Sequence, residues 1–378
     1  MPSNEFAVEN QFYRISLDEG SGAVKSIYDK QLHREIVDTS SPYKFGQYVY
    51  VTGGDGDTQM VNPFPALPPG ELTVHLSSGG RVLGVERLSW GQSIRLRSSS
   101  VNTPEIQTEI LMFDEQKKIE FRFRIHKDYT NDKEGVYVAF PAAASNPEFH
   151  FATQQDSINP AQNLMKGGSL EWFSIQQWMA VSDPAFTVGI VPVDTPLASF
   201  GDINRGKWPG AFKPATGTIF SYAMNNYWHT NYRAGQGGEF LFRYAVTSEP
   251  RLDVRHLTHL ALEEMRPAEL DYVASQDKAG NPPRPLTAEG TSFLTVGSQN
   301  VALVTWKKAE DGKGSILRLQ ETAGEPTEAA LAFPHTKVVA ATLCSGVEDN
   351  LHSLPINSNA VRLAFKPFEV LTVRVETN

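Results

Sequence analysis

Cysteine is almost missing from this 378-residue chain, and the one present, Cys344, lies in the apolar run VVAATLC. One cysteine can form neither a disulfide framework nor a cysteine-based metal site, and its apolar surroundings predict a buried, unreactive thiol. The sequence also lacks any cluster of lysine and arginine. Its 34 basic residues against 43 acidic ones give a net charge of −9. Nucleic acid and anionic membrane surfaces are therefore not expected as partners.

Long apolar stretches and common catalytic motifs are missing as well. No apolar run approaches the ~20 residues that a membrane helix needs. The N-terminus MPSNEFAVENQFYRI has no basic head followed by an apolar stretch, so no signal peptide is expected. The patterns GxGxxG, GxxxxGK, GxSxG and HExxH do not occur. We expect a soluble protein of a reducing compartment, the cytoplasm, with no membrane partner.

What the sequence does contain is a long series of strand patterns. In the segment KKIEFRFRI, residues 117–125, apolar side chains alternate with charged ones, which is typical of a strand with one buried and one solvated face. The same period of two recurs at residues 13–17, 72–76 and 239–246, with Gly, Pro, Asn and Asp between the strands. The pattern predicts antiparallel β-sandwiches rather than alternating strands and helices.

Helix is predicted in one place, the segment LDVRHLTHLALEEM at residues 252–265, which precedes Pro267. His256, His259 and Glu263 would lie on one side of this helix, a spacing that zinc sites also use. Solvated histidines are the commoner outcome of such a pattern, and nothing else in the sequence supports a metal. We therefore predict no metal site here.

A change of composition predicts the domain boundary. From Asp271 to Thr291 the sequence DYVASQDKAGNPPRPLTAEGT is dominated by Pro, Gly and small polar residues and has no periodicity. The short strand patterns after it are sufficient for a small sandwich. The predicted organisation is a first domain at residues 1–270, a linker at 271–290 and a small β-sandwich at 291–378.

The most unusual composition lies at residues 225–232, NNYWHTNY, between two predicted strands. Amides and aromatic rings suit a sugar, because rings face C–H surfaces and amides bond hydroxyls. An ordered loop whose asparagines close turns is an equally good interpretation. The candidate carbohydrate-binding residues in and before this loop are Asp202, Asn204, Trp208, Asn225, Asn226, Trp228, His229 and Asn231.

Acid–base chemistry on a sugar is the alternative hypothesis. Asp202 and Glu239 flank the loop, and His229 near either carboxylate could make the acid/base pair of a stand-alone mutarotase-like epimerase. Structural roles also explain both acids, because Glu239 begins a strand and Asp202 lies in an Asp-x-Asn turn. No residue is therefore assigned as catalytic.

Several long motifs resemble the C-terminal β region of glycoside hydrolase family 38, the α-mannosidases, especially the bacterial ones. In chain order they are ENQFYRISLDEGSGAVKSIYDKQLHREIVD, VYVAFPAA, LEWFSIQQWMAVSD, DTPLASFGDINRGKW, GTIFSYAMNNYWHTNYRAGQGGEFLFRY and NVALVTWKKAEDGKGSILRLQET. The resemblance as a whole extends over nearly everything from about Glu9 to Val375. The resemblance implies an all-β chain with a galactose-mutarotase-like supersandwich followed by a small immunoglobulin-like β-sandwich.

The resemblance also implies a role. In this family the nucleophile, the acid/base and the zinc ligands belong to an N-terminal α/β domain and a helical bundle, and none of them maps onto this sequence. The implied role is therefore that of a non-catalytic carbohydrate-binding accessory module for mannosides, without a cofactor of its own. Such a module would be inactive alone and would act with a catalytic domain or subunit, or self-associate.

A module that only braces a catalytic partner is a third interpretation.

The segment INPAQNLMKGG departs from the family pattern, in which relatives carry an acidic residue and a Pro-Gly step.

Overall fold

The computed structural model describes residues 6–53, 71–154, 156–204, 207, 209–227, 235–269 and 292–378. The chain divides into two compact units, Met1–Leu252 and Asp253–Asn378. In the described part of the first unit the strands are β1 (Ala7–Glu9), β2 (Tyr13–Asp18), β3 (Ala23–Asp29), β4 (Arg34–Glu35), β5 (Gln47–Gly53), β6 (Leu72–Leu76), β7 (Ser78–Leu88), β8 (Gly91–Ser100), β9 (Thr103–Phe113), β10 (Ile119–Lys127), β11 (Glu134–Ala142), β12 (Glu148–Ala152), β13 (Ser157–Ile158), β14 (Phe173–Ser174), β15 (Met179–Asp183), β16 (Phe186–Pro192), β17 (Leu197–Phe200), β18 (Gly217–Asn225) and β19 (Gly238–Glu249).

These strands form three antiparallel sheets. A four-stranded sheet has the order β1-β2-β3-β4, a nine-stranded sheet the order β13-β12-β15-β16-β19-β10-β9-β8-β7, and a six-stranded sheet the order β14-β17-β18-β11-β5-β6. The two larger sheets share one apolar core. In it the rings of Phe121 on β10 and Phe140 on β11 lie 6.2 Å apart, centroid to centroid. The first unit is therefore a large sandwich in which each described strand runs antiparallel to its neighbours in the sheet.

Strand β10 shows why the sequence forms these sheets. Its apolar residues at positions 119, 121, 123 and 125 are buried, whereas the charged residues between them are partly or fully exposed. In β11 all nine residues are buried, because a second apolar cluster that includes Tyr137, Phe220 and Tyr222 covers the other face of the six-stranded sheet. A strand with both faces covered has no reason to alternate.

The second unit contains one helix and a small β-sandwich. Its described elements are α1 (Val254–Met265), β20 (Thr295–Val296), β21 (Val301–Lys308), β22 (Ser315–Glu321), β23 (Thr327–Ala332), β24 (Val338–Cys344), β25 (Asn350–Ser353), β26 (Ile356–Asn357), β27 (Ala360–Phe365) and β28 (Val370–Thr377). Two sheets, β20-β23-β27-β26 and β21-β22-β28-β24-β25, enclose a core of their own. The prediction of an all-β supersandwich followed by a small β-sandwich is confirmed.

The predicted helix is confirmed, with Asp253 as its N-cap: the Asp253 carboxylate accepts from the His256 backbone N–H at 2.9 Å. The helix belongs to the second compact unit, whereas the sequence boundary placed it in a domain of residues 1–270. The predicted linker at 271–290 lies outside the described residues, so that boundary stays a prediction. In the described part of the chain, no helix is long and apolar enough to cross a membrane. Cys344 is buried, as predicted.

Candidate functional site

Strand β18 separates the predicted site residues into two groups. Its last residue, Asn225, lies opposite Gly135, and Asn226 follows it directly. At the other end, the Gly201 N–H donates to the Thr218 carbonyl at 2.8 Å, so Asp202 and Asn204 lie beside the beginning of the strand. Seven residues at ~3.3 Å each put the two groups about 20 Å apart along the strand. The structure therefore does not bring them into one site. Trp208, Trp228, His229 and Asn231 lie outside the described residues.

The Asp202 group makes the contacts of a closed turn. One Asp202 oxygen accepts from the Ile203 N–H at 2.7 Å, and the other pairs with Lys207 at 2.5 Å. The Asn204 side-chain amide donates to the Phe200 carbonyl at 3.3 Å. Burial, and then the charge of Asp202, raise the pKa of Tyr43. These bonds agree with the structural interpretation of the Asp-x-Asn turn. Asp202 itself is exposed to solvent.

Asn226 fastens the chain that leaves β18 to the beginning of β11. Its side-chain oxygen accepts from the Glu134 N–H at 2.6 Å, and its side-chain nitrogen donates to the Asp132 carbonyl at 2.6 Å. Its backbone N–H donates to the Glu134 carbonyl at 3.1 Å. The next residue, Tyr227, is buried and donates to the Val51 carbonyl at 3.3 Å. The Asn226 amide is thus used inside the protein, and its role is to position the chain.

A buried ion pair holds the same end of the sandwich. The Lys127 ammonium contacts the Glu134 carboxylate, and the two side chains are 0% and 3% exposed. Lys127 also donates to the carbonyls of Asp128 at 3.1 Å and Gln236 at 2.9 Å. Gln236 lies just before β19, so one ammonium ties the ends of β10, β11 and the approach to β19 together.

Two further side chains complete this arrangement. The Tyr50 hydroxyl donates to the second Glu134 oxygen at 2.5 Å and accepts from the Asn102 amide at 2.7 Å. Burial, and then the hydrogen bond to Glu134, raise the pKa of Tyr50 well above its usual range, so it stays a neutral donor. We call Lys127, Glu134, Tyr50, Asn102 and Asn226 the Lys127 brace. Its members satisfy one another, which a buried charge requires.

Asn225 differs from the brace residues beside it. Its side-chain oxygen is shielded from solvent, and no donor among the described residues reaches it. A buried acceptor without a partner costs free energy, so such a group in a native protein calls for an explanation. We call the end of the sandwich at which β18 ends the Asn225 end. The Asn225 amide there has a buried acceptor with no partner, next to the Lys127 brace.

Sequence reasoning missed Lys127, Glu134 and Tyr50. One signal was available, because the alternation of β10 puts positions 119, 121, 123 and 125 inside and continues to Lys127, which is likewise buried. A lysine at an inward position needs a buried partner. Nothing local to the sequence names Glu134 as that partner.

Glu239, the acid considered for the epimerase hypothesis, is exposed on β19 and lies opposite His126 on β10. It is at the same end of the sandwich as Asn225, since β19 begins just after Gln236. His229 lies outside the described residues, so the pairing of a histidine with this carboxylate stays a prediction.

Comparison with known families identifies two regions. The family described as "Glycosyl hydrolases family 38 C-terminal domain" matches residues 8–194. The family described as "Glycosyl hydrolases family 38 C-terminal beta sandwich domain" matches residues 300–373. Asn225 and Asn226 lie between these two matches, whereas the other residues of the Lys127 brace lie within the first. No curated protein sequence matches the chain.

Solved structures extend the similarity over the whole chain. An α-mannosidase from Enterococcus faecalis V583 superimposes with a TM-score of 0.70 and 15% identity, over 98% of this chain and 42% of that one. A family 38 protein from Enterococcus faecalis gives 0.68 and 15%, over 98% of this chain and 44% of that one. A galactose mutarotase-like protein from Lactobacillus casei ATCC 334 gives only 0.38 and 9%, over 65% of this chain and 100% of that one. At such identities the likeness shows the fold alone.

The chain spans less than half the length of the two family 38 structures. Among the described residues, no three His, Cys, Asp or Glu side chains converge as metal ligands. Both regions of this chain match C-terminal domains of one enzyme family, on a matching fold. The chain belongs to glycoside hydrolase family 38, of which it represents the C-terminal β region.

Proposed function

We propose that this chain is a non-catalytic, carbohydrate-binding accessory module of an α-mannosidase-type enzyme, acting with a catalytic domain or subunit. Family membership supports the accessory role, because both matching regions are C-terminal domains. The name of one structural relative, an α-mannosidase, supports a mannoside as the glycan.

The proposal places glycan contact at the Asn225 end, and the observation that carries it is the unpartnered Asn225 oxygen. A sugar hydroxyl is a donor of the right kind for an amide oxygen. The Lys127 brace supports this assignment, because side chains held by buried partners lose little freedom when a ligand binds. The Asp202 group offers no comparable unpartnered buried acceptor, because Asp202 and Asn204 use their side chains inside the turn.

Binding at a single shallow site is expected to be weak. Much of the contact energy of such a site is lost to ordering the ligand and the surface side chains. We expect a Kd between roughly millimolar and tens of micromolar, which corresponds to about 4 to 6 kcal/mol.

The test is an NMR titration of the protein with methyl α-mannoside and mannose oligosaccharides. Amide signals of residues 225–227 and 235–239 should move, and the Asn225→Ala and Trp228→Ala variants should weaken binding. Asn146→Ala is the matched control, because Asn146 is exposed and follows Ala142 at the opposite end of β11. Its binding curve should match that of the unchanged protein.

Two results would overturn the assignment. Unchanged signals at millimolar sugar would make the Asn225 end structural, and equal weakening by Asn146→Ala would show that the effect is not local. The epimerase hypothesis is tested in the same samples. Anomer exchange that the protein accelerates, and that His229→Ala abolishes, would favour it over the accessory module.

A further inference from the structure

The solvated face of the nine-stranded sheet carries a groove of about 440 Å³, within the usual range for small-ligand sites. Strands β7, β8, β9, β10 and β19 form it. Its lining residues are Leu83, Arg95, Leu96, Gln107, Thr108, Glu109, Arg122, Arg124, Leu241 and Arg243. We propose that this groove binds an acidic saccharide, a sugar with a carboxylate, sulfate or phosphate group, through Arg124. The inference does not depend on the proposed function, since the two sites share no residue.

The cross-strand register concentrates positive charge in the groove. Glu109 on β9 lies opposite Arg95 on one side and opposite Arg122 on the other. Arg122 in turn lies directly opposite Arg243 on β19. Like charges directly opposite one another in a sheet are destabilising. A bound anion would offset that repulsion.

Two of these arginines form ion pairs with carboxylates. Arg243 pairs with both oxygens of Asp194 at 2.9 and 2.8 Å. Arg122 pairs with Glu120 at 2.8 Å and with Glu109 at 3.6 Å.

Arg124 is the exception among these arginines. It is exposed, and its cross-strand neighbours are the uncharged Gln107 and Leu241. Within the described residues its guanidinium group has no ion pair and no hydrogen bond. Arg124 therefore offers an unused set of donors in the groove, two residues along β10 from Arg122.

The other lining residues define the occupant. A guanidinium group binds a carboxylate, sulfate or phosphate through two parallel hydrogen bonds. Leu83 and Leu241, 51% and 42% exposed, provide apolar contact for C–H groups. The Gln107 side-chain nitrogen donates to Glu105 at 2.9 Å, and its side-chain oxygen can accept from hydroxyls. A ligand that matches these residues carries one anionic group next to hydroxyl and C–H groups, as an acidic sugar does. A long polyanion such as nucleic acid is disfavoured by the net charge of −9.

The test compares mannose 6-phosphate and glucuronate with neutral mannose and with inorganic phosphate, by NMR titration and calorimetry. We expect both acidic sugars to shift amide signals of β9, β10 and β19 and to bind more tightly than mannose or phosphate alone. Arg124→Gln should weaken this binding roughly tenfold, as expected for the loss of a charged hydrogen-bonding partner. Arg124→Lys keeps the charge but loses the paired N–H donors of the guanidinium group. Its affinity for the acidic sugars should lie between those of the unchanged protein and of Arg124→Gln.

The matched control is Arg87→Gln on β7, an exposed arginine that pairs with Asp114 outside the groove. It removes the same charge and should leave binding unchanged. The proposal is overturned if neither acidic sugar binds at millimolar concentration, or if Arg87→Gln weakens binding as much as Arg124→Gln. It is also overturned if inorganic phosphate binds as tightly as mannose 6-phosphate, or if single-stranded DNA binds more tightly than either sugar.

Discussion

At the scale of single residues, buried charges connect parts of the first unit that are distant in the sequence. Asp29, at the end of β3, is fully buried. It pairs with Lys117 at 2.9 Å and accepts from the Ser248 hydroxyl at 2.6 Å. The backbone N–H groups of Gln31 and Leu32 occupy its other oxygen. A buried carboxylate is tolerated only with such partners, so Asp29, like Glu134, specifies where its neighbours must lie.

The Lys127 brace leads to a stability prediction. Lys127→Met should lower the free energy of unfolding by about 3–5 kcal/mol, because it leaves the Glu134 charge buried without its cation. Urea denaturation followed by circular dichroism measures the loss. Adding Glu134→Gln should recover part of it. Lys207→Met is the control, since its pair with Asp202 is exposed and should be worth no more than about 1 kcal/mol. Equal losses in the two lysine variants would refute a structural role for the brace.

At the scale of elements, a close approach of two backbone segments determines how the β2–β3 hairpin contacts the nine-stranded sheet. The Gly80 N–H on β7 donates to the Gly20 carbonyl, in the turn between β2 and β3, at 3.0 Å. A Cβ atom at Gly80 would lie 2.1 Å from the Glu19 carbonyl oxygen and 2.5 Å from the Gly22 nitrogen. Both obstacles are backbone atoms, so neither can rotate away. The small four-stranded sheet therefore lies where only a glycine permits it.

We predict that Gly80→Ala destabilises the first unit by about 1–3 kcal/mol, the usual cost of overpacking. The control is Gly84→Ala on the same strand, where an added Cβ meets nothing within 4 Å. That change should be neutral, or stabilising by up to about 1 kcal/mol, because it restricts the unfolded chain. Thermal unfolding of both variants measures the difference, and a Gly80→Ala protein as stable as Gly84→Ala would contradict the argument.

At the scale of the whole molecule, each compact unit has its own apolar core, and the second carries its own charge network. Glu348 accepts from the Glu310 N–H at 2.9 Å and pairs with Lys307 at 2.6 Å. Those contacts, the backbone bond first, hold the pKa of Glu348 below its ordinary value of 4.5. The Lys313 N–H, and then Arg374, hold the pKa of Asp311 below 3.8. The stability of this unit therefore depends on the ionisation of these two carboxylates.

The sign of the pH effect follows from these lowered pKa values. Above its ordinary pKa each carboxylate contributes its full stabilisation, which is lost as the pH falls through the lowered value of the folded state. We expect the urea midpoint of the second unit, followed through the amide signals of β22 and β28, to fall as the pH is lowered below about 5. The variant Asp311→Asn with Glu348→Gln should be less stable at neutral pH and show a shallower fall. An unchanged slope would mean that other carboxylates dominate.

Much of the fold could be predicted because its signals are local. Three of these signals depend only on residues close together in the chain: the alternation in β10, the end of the helix before Pro267 and the turn residues between strands. The long motifs in addition identified the family. The split of the site residues could have been predicted too. Loops before and after one strand leave it at opposite ends, so Asp202 and Asn225 cannot be neighbours across a nine-residue strand.

Only the tertiary structure decided the partnerships between residues far apart in sequence. Lys127 was marked as buried by its position, but its bond to Glu134 depends on how the two sheets pack. The bond between Glu134 and Tyr50 depends on the pairing of β11 with β5. The free guanidinium of Arg124 likewise results from a register that puts Gln107 and Leu241 beside it. Local pattern determines which face a side chain occupies, whereas the identity of its partner is set by strand order and register, which non-local packing selects.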